Sequence, residues 1–266
     1  MIQVVTTLLA VFLAVSPKIL IPAPAEIVSG QETCVLPEKL SYNIVCKADT
    51  AGLTSLERYI GASGLASGSP TRGDINIVLG DRKLAKRFSS EKDFVREAAY
   101  CLEVTPKGIE IKAITPKGAF YAIQSLRQML YRGRELETCV VTDWPVMRYR
   151  GLMLDISRNF RDKEFIEKQI DAMALLKMDK LHLHLTDDAG WRIQIDSKPR
   201  LTDVAAWRVG ETWSQWVDFG KQYSEKDSPR ASGGYLTKDD VREIVAYAAD
   251  RQIDIIPEFE IPGHSR

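Results

Sequence analysis

The sequence predicts an α/β fold with a parallel sheet in its second half and a small α+β domain before it. Two observations lead to this prediction. After about residue 146, strand-like segments alternate with amphipathic helices, which is typical of sheets built from strand–helix–strand units. Two of the strands also end in acids and histidines, near Asp187 and Glu258, and parallel sheets place their chemistry at the carboxyl ends of the strands.

Composition limits the classes of protein to which the chain can belong. It has 266 residues, of which 45% are hydrophobic, enough to bury one large core or two modest ones. Its 36 Lys and Arg side chains balance 36 Asp and Glu side chains, so no net charge attracts nucleic acid or an acidic membrane. We therefore expect no nucleic-acid partner.

The first 25 residues have the features of a signal peptide. The run from Val4 to Val15 is almost wholly apolar, and Ala23-Pro24-Ala25 offers the small-x-small pattern of a cleavage site. The apolar run is too short to span a bilayer, so we do not expect an integral membrane protein. A buried terminal helix is the alternative interpretation. Export predicts a periplasmic, cell-surface or secreted protein.

Four cysteines, Cys34, Cys46, Cys101 and Cys139, would meet an oxidising compartment after export. They allow three disulfide pairings that the sequence does not distinguish. Buried or unpaired thiols are at least as good an interpretation, because a chain of this length does not need disulfides for stability. None of the four has the spacing of metal ligands, and we expect no cofactor.

Residues 26–145 are predicted to form the small α+β domain. The segments on either side of residues 105–108 alternate in polarity around a turn-forming Thr-Pro-Lys-Gly, which is the pattern of a hairpin. From Gly118 to Leu130 the apolar residues recur mostly at three- and four-residue steps, as in a helix that covers a sheet. Trp144-Pro145 ends the domain, since proline restrains itself and the residue before it.

In the second half of the chain, the sequence pattern predicts strands that alternate with helices. A strand at residues 151–156 precedes a helix at about residues 163–178, and a second strand follows at residues 181–185. A helix that begins with the capping-box pattern of residues 237–240 precedes a third strand at residues 253–256. This order implies parallel strands joined by right-handed crossovers.

A long insert at about residues 189–235 separates the second strand from the next helix. It carries Trp191, Trp207, Trp213 and Trp216. Loops of this length are usually functional or disordered, and this one is too aromatic for disorder. Aromatic rings beside carboxylates suit sugars, whose C–H faces stack on the rings. Packing of the loop onto the rim of the sheet is the alternative, and it is favoured for any single tryptophan.

The polar residues at the strand ends allow more than one interpretation. His182 and His184 could ligate zinc, but they lie inside the strand, so hydrogen bonds to neighbouring polar groups are favoured over a metal site. Arg158 follows the first strand and offers five fixed donors that suit vicinal hydroxyls or a carboxylate. A structural ion pair with Asp155 or with an acid of the next strand is the alternative for Arg158.

Three segments together resemble the signatures of the β-N-acetylhexosaminidases of glycoside hydrolase family twenty. They are residues 150–160, RGLMLDISRNF, residues 182–192, HLHLTDDAGWR, and residues 257–264, PEFEIPGH. Upstream, residues 118–126 and 143–145 resemble the end of that family's non-catalytic α+β domain. The resemblance covers about residues 70–266.

The resemblance implies a fold and an activity. Residues 26–145 would form the non-catalytic α+β domain, and residues 146–266 would form the first three strands of a (β/α)8 TIM barrel. The family removes terminal β-linked N-acetylglucosamine or N-acetylgalactosamine from oligosaccharides and glycoconjugates. Its retaining mechanism is substrate-assisted: the acetamido oxygen of the sugar attacks the anomeric carbon, an aspartate orients that amide, and the adjacent glutamate protonates the leaving oxygen.

The resemblance also implies roles for three residues. Arg158 matches the arginine that holds the hydroxyl groups of the sugar. Asp187 and His264 match an acid and a histidine that support the general acid, which implies no metal. The sequence departs from the family pattern at Glu260, where aspartate is usual, and at Asn159, where histidine or tyrosine is common.

The catalytic Asp-Glu pair of the family belongs to a fourth strand, in a His-x-Gly-x-Asp-Glu context that these 266 residues do not contain. A (β/α)8 barrel typically needs about 250 residues, and three strands cannot close one. We therefore expect a truncated hexosaminidase that is inactive as an isolated chain. A non-catalytic carbohydrate-binding or assembly protein and a metal-dependent barrel hydrolase are the alternative functions.

Overall fold

A computed structural model describes residues 14–46, 52–69 and 71–264 of the chain. The apolar run that predicts a signal peptide lies mostly outside these described residues. Within the described part of the chain, none of the helices combines the length and the apolar character that crossing a bilayer requires.

The chain divides into two compact units. The first comprises Met1–Thr50 and Ser63–Pro145, and the second comprises Ala51–Ala62 and Val146–Arg266. The division after Pro145 coincides with the predicted end of the α+β domain, whereas residues 51–62 group with the second unit although they lie inside that predicted domain. The predicted domain bounds stay a prediction.

The first unit is built on a seven-stranded mixed sheet with the strand order β1-β7-β5-β6-β4-β2-β3. Strands β5 and β6 form the predicted hairpin, with Thr105 opposite Gly108. The elements up to Pro145 are a short 3-10 helix (Pro17–Ile19), β1 (Glu26–Val35), β2 (Leu40–Cys46), α1 (Leu53–Ala62), β3 (Ala66–Gly68), β4 (Ile75–Leu79), α2 (Arg82–Arg87), α3 (Asp93–Ala98), β5 (Tyr100–Thr105), β6 (Gly108–Ala113), α4 (Pro116–Leu130) and β7 (Glu135–Asp143).

Helix α4 packs against the central strands of this sheet. The Thr115 side chain caps it by accepting hydrogen bonds from the N–H groups of Lys117 and Gly118. Pro116 fits the first turn, where no N–H donor is needed, so the helix begins two residues before the predicted Gly118. A Cβ atom at Gly118 would overlap the backbone oxygen of Ala99, so only glycine allows the helix to approach this closely.

A buried hydrogen-bond network joins α4 to the sheet. The Tyr100 hydroxyl lies 2.6 Å from Ser125 Oγ and donates to Asp143 Oδ2 at 3.0 Å. Asp143 Oδ1 also accepts the backbone N–H of Ala25 at 3.1 Å. Burial raises the pKa of Tyr100 well above its ordinary value, so the phenol keeps its proton and remains a donor.

The second unit contains a three-stranded parallel sheet in which the order of the strands, β8-β9-β14, follows the order of the chain. The elements after Pro145 are β8 (Gly151–Asp155), α5 (Lys163–Leu175), β9 (Lys180–His184), β10 (Thr186–Asp187), β11 (Gly190–Trp191), α6 (Arg200–Asp203), β12 (Trp207–Val209), α7 (Trp213–Asp218), β13 (Ala231–Gly233), α8 (Lys238–Ala249) and β14 (Asp254–Glu258).

Helices α5 and α8 connect these strands and pack against each other. The Asp162 side chain caps α5, and Thr237 with Asp240 forms the predicted capping box of α8. Helix α5 ends at Leu175, earlier than the predicted end near residue 178, because Lys177 adopts a left-handed backbone with φ of 59°.

Helix α1 belongs to the second unit because it contacts α8. Arg58 of α1 forms an ion pair with Asp250, 2.6 Å between the charged atoms, at the carboxyl end of α8. Tyr59 is buried, and the Arg251 guanidinium lies 5.6 Å from the centre of its ring. No local pattern in the sequence indicates this packing, since it depends on residues about 190 positions away.

The long insert is not an unstructured loop. Its short elements include an antiparallel pair, β12 with β13, and the helices α6 and α7. Trp216 of α7 is fully buried, as the packing interpretation predicts for most of these tryptophans. Elements of two to six residues carry too little hydrophobic periodicity to be read from the sequence.

All four cysteines are thiols, with no disulfide among the described residues. Burial raises the pKa of Cys34 and Cys101, and it raises the pKa of Cys139 to about 11. Of the two interpretations of the cysteines, the structure therefore has thiols rather than disulfides.

We expect Tyr100→Phe to lower the free energy of unfolding by about 1–3 kcal/mol, because it removes the donor that Asp143 accepts from inside the first unit. Tyr131→Phe, which changes a tyrosine that is 92% exposed, serves as the matched control and should leave stability unchanged. Urea denaturation followed by circular dichroism measures both. Equal stability of the two variants would contradict the proposed importance of the network.

Candidate active site

Three parallel strands bring polar side chains to one edge of the second unit's sheet. In its register Asp155 of β8 lies beside His184 of β9, and His184 lies beside Glu258 of β14. Each of these residues is the last of its strand. The carboxyl ends of the strands therefore gather two acids and a histidine at the place where such sheets hold their chemistry.

Asp187 is the most enclosed acid of this cluster, with a side chain that is 1% exposed. Its Oδ2 lies 2.6 Å from Arg158 Nη2 and 3.3 Å from His184 Nε2. The same oxygen lies 3.4 Å from His264 Nδ1, and Oδ1 accepts the backbone N–H of Asp188 at 2.7 Å. The Arg158 guanidinium, the two imidazole rings and the backbone N–H together offset the cost of burying the carboxylate.

Arg158 lies in the loop that follows β8, and two carboxylates fix its position. Asp155 Oδ1 accepts the backbone N–H groups of Ser157 and Arg158, and its Oδ2 lies 2.6 Å from Arg158 Nη1. Asp187 holds Nη2 of the same guanidinium. Both ion pairs raise the pKa of Arg158, with the Asp155 hydrogen bond as the main cause. The ion pairs of the structural interpretation are thus present, yet 34% of the side chain remains exposed to a ligand.

The strand histidines bind an acid of the neighbouring strand. His182 Nε2 lies 2.6 Å from Glu258 Oε2, and His184 Nδ1 lies 3.2 Å from the same oxygen. Because His184 Nε2 faces Asp187, its ring connects two carboxylates. These are the contacts to neighbouring polar groups that the sequence favours for the two histidines.

Glu258, the last residue of the third strand, lies beside Glu260 of the loop that follows. A hydrogen bond between their side chains, followed by the contacts with His184 and His182, lowers the pKa of Glu258. The backbone N–H of Glu260 donates to Thr186 Oγ1 at 2.8 Å, which fastens the loop after β14 to the loop after β9. The longer side chain at position 260 therefore remains within the acidic cluster.

Two triads in this region have donor atoms close enough together to hold a cation. They are His184 with Glu258 and Glu260, and Asp187 with Asp188 and His264, and within each triad the potential ligand atoms lie within 4.8 Å of one another. In both triads the histidine is already hydrogen-bonded or ion-paired to a carboxylate, so a metal would have to displace those contacts. The predicted use of His264 beside Asp187 needs no metal.

The tryptophans of the insert divide into packing and exposed rings. Trp213 is partly exposed, and the Arg158 guanidinium lies 5.7 Å from the centre of its ring. Trp191 is also partly exposed and packs at 6.4 Å against Phe259. Partly exposed aromatic rings therefore lie at two places near the site, Trp213 beside Arg158 and Trp191 beside the loop that follows β14.

Arg192 is a residue whose role sequence reasoning missed. It is completely buried, and among the described residues its N–H groups donate to backbone oxygens alone: those of Ser157, Ala189, Ala206 and Gly234. Burial, and next the charge of Arg208, lowers its pKa to about 9. The residue fastens the loop of Arg158 to the turn after β10 and to the insert.

No pattern in the sequence marks Arg192 as buried, because its acceptors lie up to 42 residues away. The nearest signal is the glycines around it. A Cβ atom at Gly190 would overlap the guanidinium, and Gly233 adopts φ of 148° where the chain passes close to it. These glycines leave the space that the arginine fills.

Parallel strands with intervening helices, and an acid–histidine–arginine cluster at their carboxyl ends, give the second unit the arrangement of part of an α/β barrel. Residues 147–266 match the catalytic domain of glycosyl hydrolase family 20, and residues 18–144 match domain 2 of the same family. The chain belongs to glycosyl hydrolase family 20. The predicted family and fold class are confirmed.

Curated relatives are hexosaminidases and chitobiases. The chain is 39% identical over 171 residues to a β-hexosaminidase of Vibrio vulnificus, an alignment that covers 64% of the chain and 20% of that protein. It is 37% identical over 201 residues to the N,N'-diacetylchitobiase of Vibrio harveyi, covering 75% of the chain and 22% of that protein.

Solved structures give the same result. The exo-β-N-acetylglucosaminidase of Vibrio harveyi, in complex with N-acetylglucosamine, is 30% identical with a TM-score of 0.73, and the match covers 94% of this chain and 37% of that one. A mutant Streptomyces plicatus β-hexosaminidase in complex with its product GlcNAc is 28% identical with a TM-score of 0.70, covering 94% and 47%. The chain thus spans less than half the length of these proteins.

We expect Asp187→Asn to lower the free energy of unfolding by about 3 kcal/mol, because the buried charge that holds Arg158, His184 and His264 is lost. Asp254→Asn is the matched control. It removes one carboxylate that is 74% exposed and paired with Lys180, so its cost should stay below about 1 kcal/mol. Urea denaturation compares the two. Similar losses in both variants would mean that Asp187 is not the centre of the cluster.

The pKa shift of Glu258 predicts a pH dependence of stability. Because its pKa in the folded chain is lowered from the ordinary 4.5, the residue stabilises the fold above that pH, and the contribution is lost as pH falls through the lowered pKa. Glu258→Gln should therefore lose less stability than the wild type between about pH 6 and pH 3. Thermal unfolding at each pH measures this, with Glu57→Gln on the exposed side of α1 as control. Parallel curves for wild type and Glu258→Gln would refute the assignment.

Proposed function

We propose that the chain is the front part of a β-N-acetylhexosaminidase that removes terminal β-linked N-acetylglucosamine or N-acetylgalactosamine by substrate-assisted, retaining catalysis. The observation that carries the proposal is the guanidinium of Arg158, fixed by Asp155 and Asp187 at the carboxyl ends of barrel strands in a family 20 chain. The GlcNAc complexes of the Vibrio harveyi and Streptomyces plicatus proteins support the choice of sugar.

Arg158 suits the recognition of a terminal sugar. Its two carboxylate partners hold the guanidinium in one orientation, so little side-chain freedom is lost when a ligand binds. Fixed N–H donors pair with vicinal hydroxyl groups, and Trp213 offers a ring beside them for the C–H face of a sugar. Binding a terminal residue in this way favours removal of single sugars from the end of a glycan.

Asp187 and His264 suit a supporting role. Asp187 is buried beneath Arg158, where a substrate would not reach it first, and His264 has a side chain that is 58% exposed. A histidine held by a buried acid can tune the proton affinity of a neighbouring general acid. In this proposal the general acid and the amide-orienting aspartate come from a fourth strand, in the Asp-Glu context that the resemblance implies.

We propose export as well, on the strength of the apolar N-terminal run. The last residue of that run and residues after it contribute to the first unit: Val15 forms a bridge with Leu136, Leu20 is 3% exposed, and Ile21 exchanges hydrogen bonds with Gln128. Cleavage after Ala25 would remove these contacts, so they favour a cleavage site before Val15 over the one that the sequence predicts. Sequencing the N-terminus of the exported protein tests the site.

The activity is tested with the protein encoded by the complete gene and with the 266-residue chain beside it. We expect the complete protein to cleave a chromogenic N-acetyl-β-glucosaminide and the 266-residue chain to leave it intact. If the complete protein is inactive but binds N-acetylglucosamine, the carbohydrate-binding alternative replaces the proposal. Activity that requires added zinc would favour the metal-dependent alternative instead.

We expect Arg158→Ala in the complete enzyme to lower kcat/KM by at least about 100-fold, because a charge-assisted hydrogen bond is worth about 1.5–3 kcal/mol and more than one is lost. Arg242→Ala, on the exposed face of α8, is the control and should keep full activity. Steady-state kinetics measures both, with thermal unfolding to verify that each variant is folded. An unchanged kcat/KM in a folded Arg158→Ala enzyme would refute the role of Arg158.

A further inference from the structure

Arg208 of β12 is a buried cation whose donors are only partly used. Its side chain is among the largest that are fully buried, and the residue is 2% exposed. Nε donates to the backbone oxygen of Gly210 at 3.3 Å, and Nη2 donates to that of Glu211 at 3.0 Å. Nη1 has no hydrogen-bond partner among the described residues.

Such an arrangement is costly unless a further group completes it. Buried polar atoms nearly always have partners, and a buried charge without an opposite charge is much less favourable than a paired one. Two backbone oxygens satisfy part of the guanidinium but supply no negative charge. Burial accordingly lowers the pKa of Arg208.

A second buried arginine adds to the uncompensated charge. Arg192 lies close enough to Arg208 for the two charges to repel, and its donors are taken by backbone oxygens alone. Asp155 lies near enough to favour the charged form of Arg192, but this carboxylate already pairs with Arg158. Within the described parts of the chain, neither buried arginine has an acidic side chain as a hydrogen-bond partner.

Both arginines line a cavity of about 240 Å3 in the second unit. Other lining residues supply neutral or positive donors, namely the side chains of Asn159, Arg161, Thr212 and Ser232. Glu211 is the acid among the lining residues, so three arginines face one carboxylate. At about 30 Å3 per water molecule, the space is ample for a tetrahedral or planar oxyanion with its hydration.

We propose that this cavity binds an oxyanionic group, which pairs with Arg208 and Arg161 and lies next to the buried positive charge of Arg192. Guanidinium and hydroxyl donors around a confined space are the chemistry that recognises sulfate and carboxylate. Such a group supplies the negative charge that the two buried arginines lack and an acceptor for the unused donor of Arg208.

The position of the cavity suggests what carries the oxyanion. Asn159 directly follows Arg158, and Thr212 directly precedes Trp213, so the cavity shares two chain segments with the proposed sugar site. The oxyanion is therefore the sulfate or carboxylate substituent of a saccharide held at that site, rather than a free ion. This assignment of the carrier rests on the proposed function, whereas the anion site itself does not.

Binding of the free ion tests the anion site. Isothermal titration of the complete protein with sodium sulfate, at ionic strength held constant with sodium chloride, should give saturable binding in the millimolar range. Arg208→Met should weaken it by about 10-fold or more, since a charge-assisted hydrogen bond is removed. Arg242→Met, an exposed arginine of α8, is the matched control and should bind as the wild type does. Absent or unsaturable binding in the wild type, or equal binding in Arg208→Met, overturns the site.

Two features of this experiment keep the result specific. Sulfate stabilises most proteins weakly by exclusion from their surface, and this effect is the same in wild type, Arg208→Met and Arg242→Met. If Arg208→Met does not fold, Arg161→Gln on the exposed rim of the cavity decides instead, with an expected loss of sulfate affinity of about 3-fold or more. Unchanged affinity in Arg161→Gln would then overturn the proposal.

The carrier is tested with N-acetylglucosamine 6-sulfate, N-acetylglucosamine and inorganic sulfate as separate ligands. Tighter binding of the sulfated sugar than of either other ligand, lost in Arg208→Met, supports a saccharide carrier. Equal affinity for the sulfated sugar and free sulfate overturns the carrier and leaves a site for a free oxyanion. An enzyme without hexosaminidase activity that still binds sulfate through Arg208 would contradict only the proposed function.

Discussion

A carboxylate withdrawn from water needs polar partners in the protein, and Asp187 obtains them from three parts of the chain. Arg158 comes from the loop after β8, His184 from the end of β9, and His264 from the loop after β14. Each of the three barrel strands in this chain therefore contributes one partner to a single buried charge. The geometry of the whole edge follows from that requirement, because moving any one loop would leave the charge incompletely paired.

Register has the same importance for the remaining acids. Asp155, His184 and Glu258 occupy one row across the sheet, so hydrogen bonds between neighbouring strands hold them side by side. A slip of one residue in either pairing would turn one of them to the opposite face of the sheet. Arg192 provides a second constraint at the level of the loops, since it ties the segment before Arg158 to the insert through backbone oxygens.

Local patterns in the sequence were sufficient for the framework of the second unit. The strand pattern of residues 181–185 identified β9, and Thr237 with Asp240 identified the start of α8, because both signals arise within a few residues. The strand ends also located Arg158 and Asp187 correctly at one edge. The role of His264 remains a prediction from resemblance.

Long-range partners could not be read from the sequence. Arg192 and Arg208 look like ordinary surface arginines until the insert folds around them, and α1 shows no sign of its contact with Asp250. The short strands of the insert are likewise stabilised by contacts beyond the local segment. Whether a charged side chain is buried depends on which distant backbone oxygens surround it. The hydrophobic periodicity of the sequence carries no information about such distant partners.

The order of the parallel strands has a consequence for synthesis on the ribosome. Since β8, β9 and β14 are neighbours in the sheet in the same order as in the chain, each strand can dock beside its predecessor soon after it emerges. The insert lengthens the second crossover, but closure entropy grows only logarithmically with loop length, by about 0.6 kcal/mol for each doubling. The strands of the sheet can therefore pair one after another as the chain is synthesised. The insert, which folds around Arg192 and Arg208, adds little to the entropic cost of pairing the third strand.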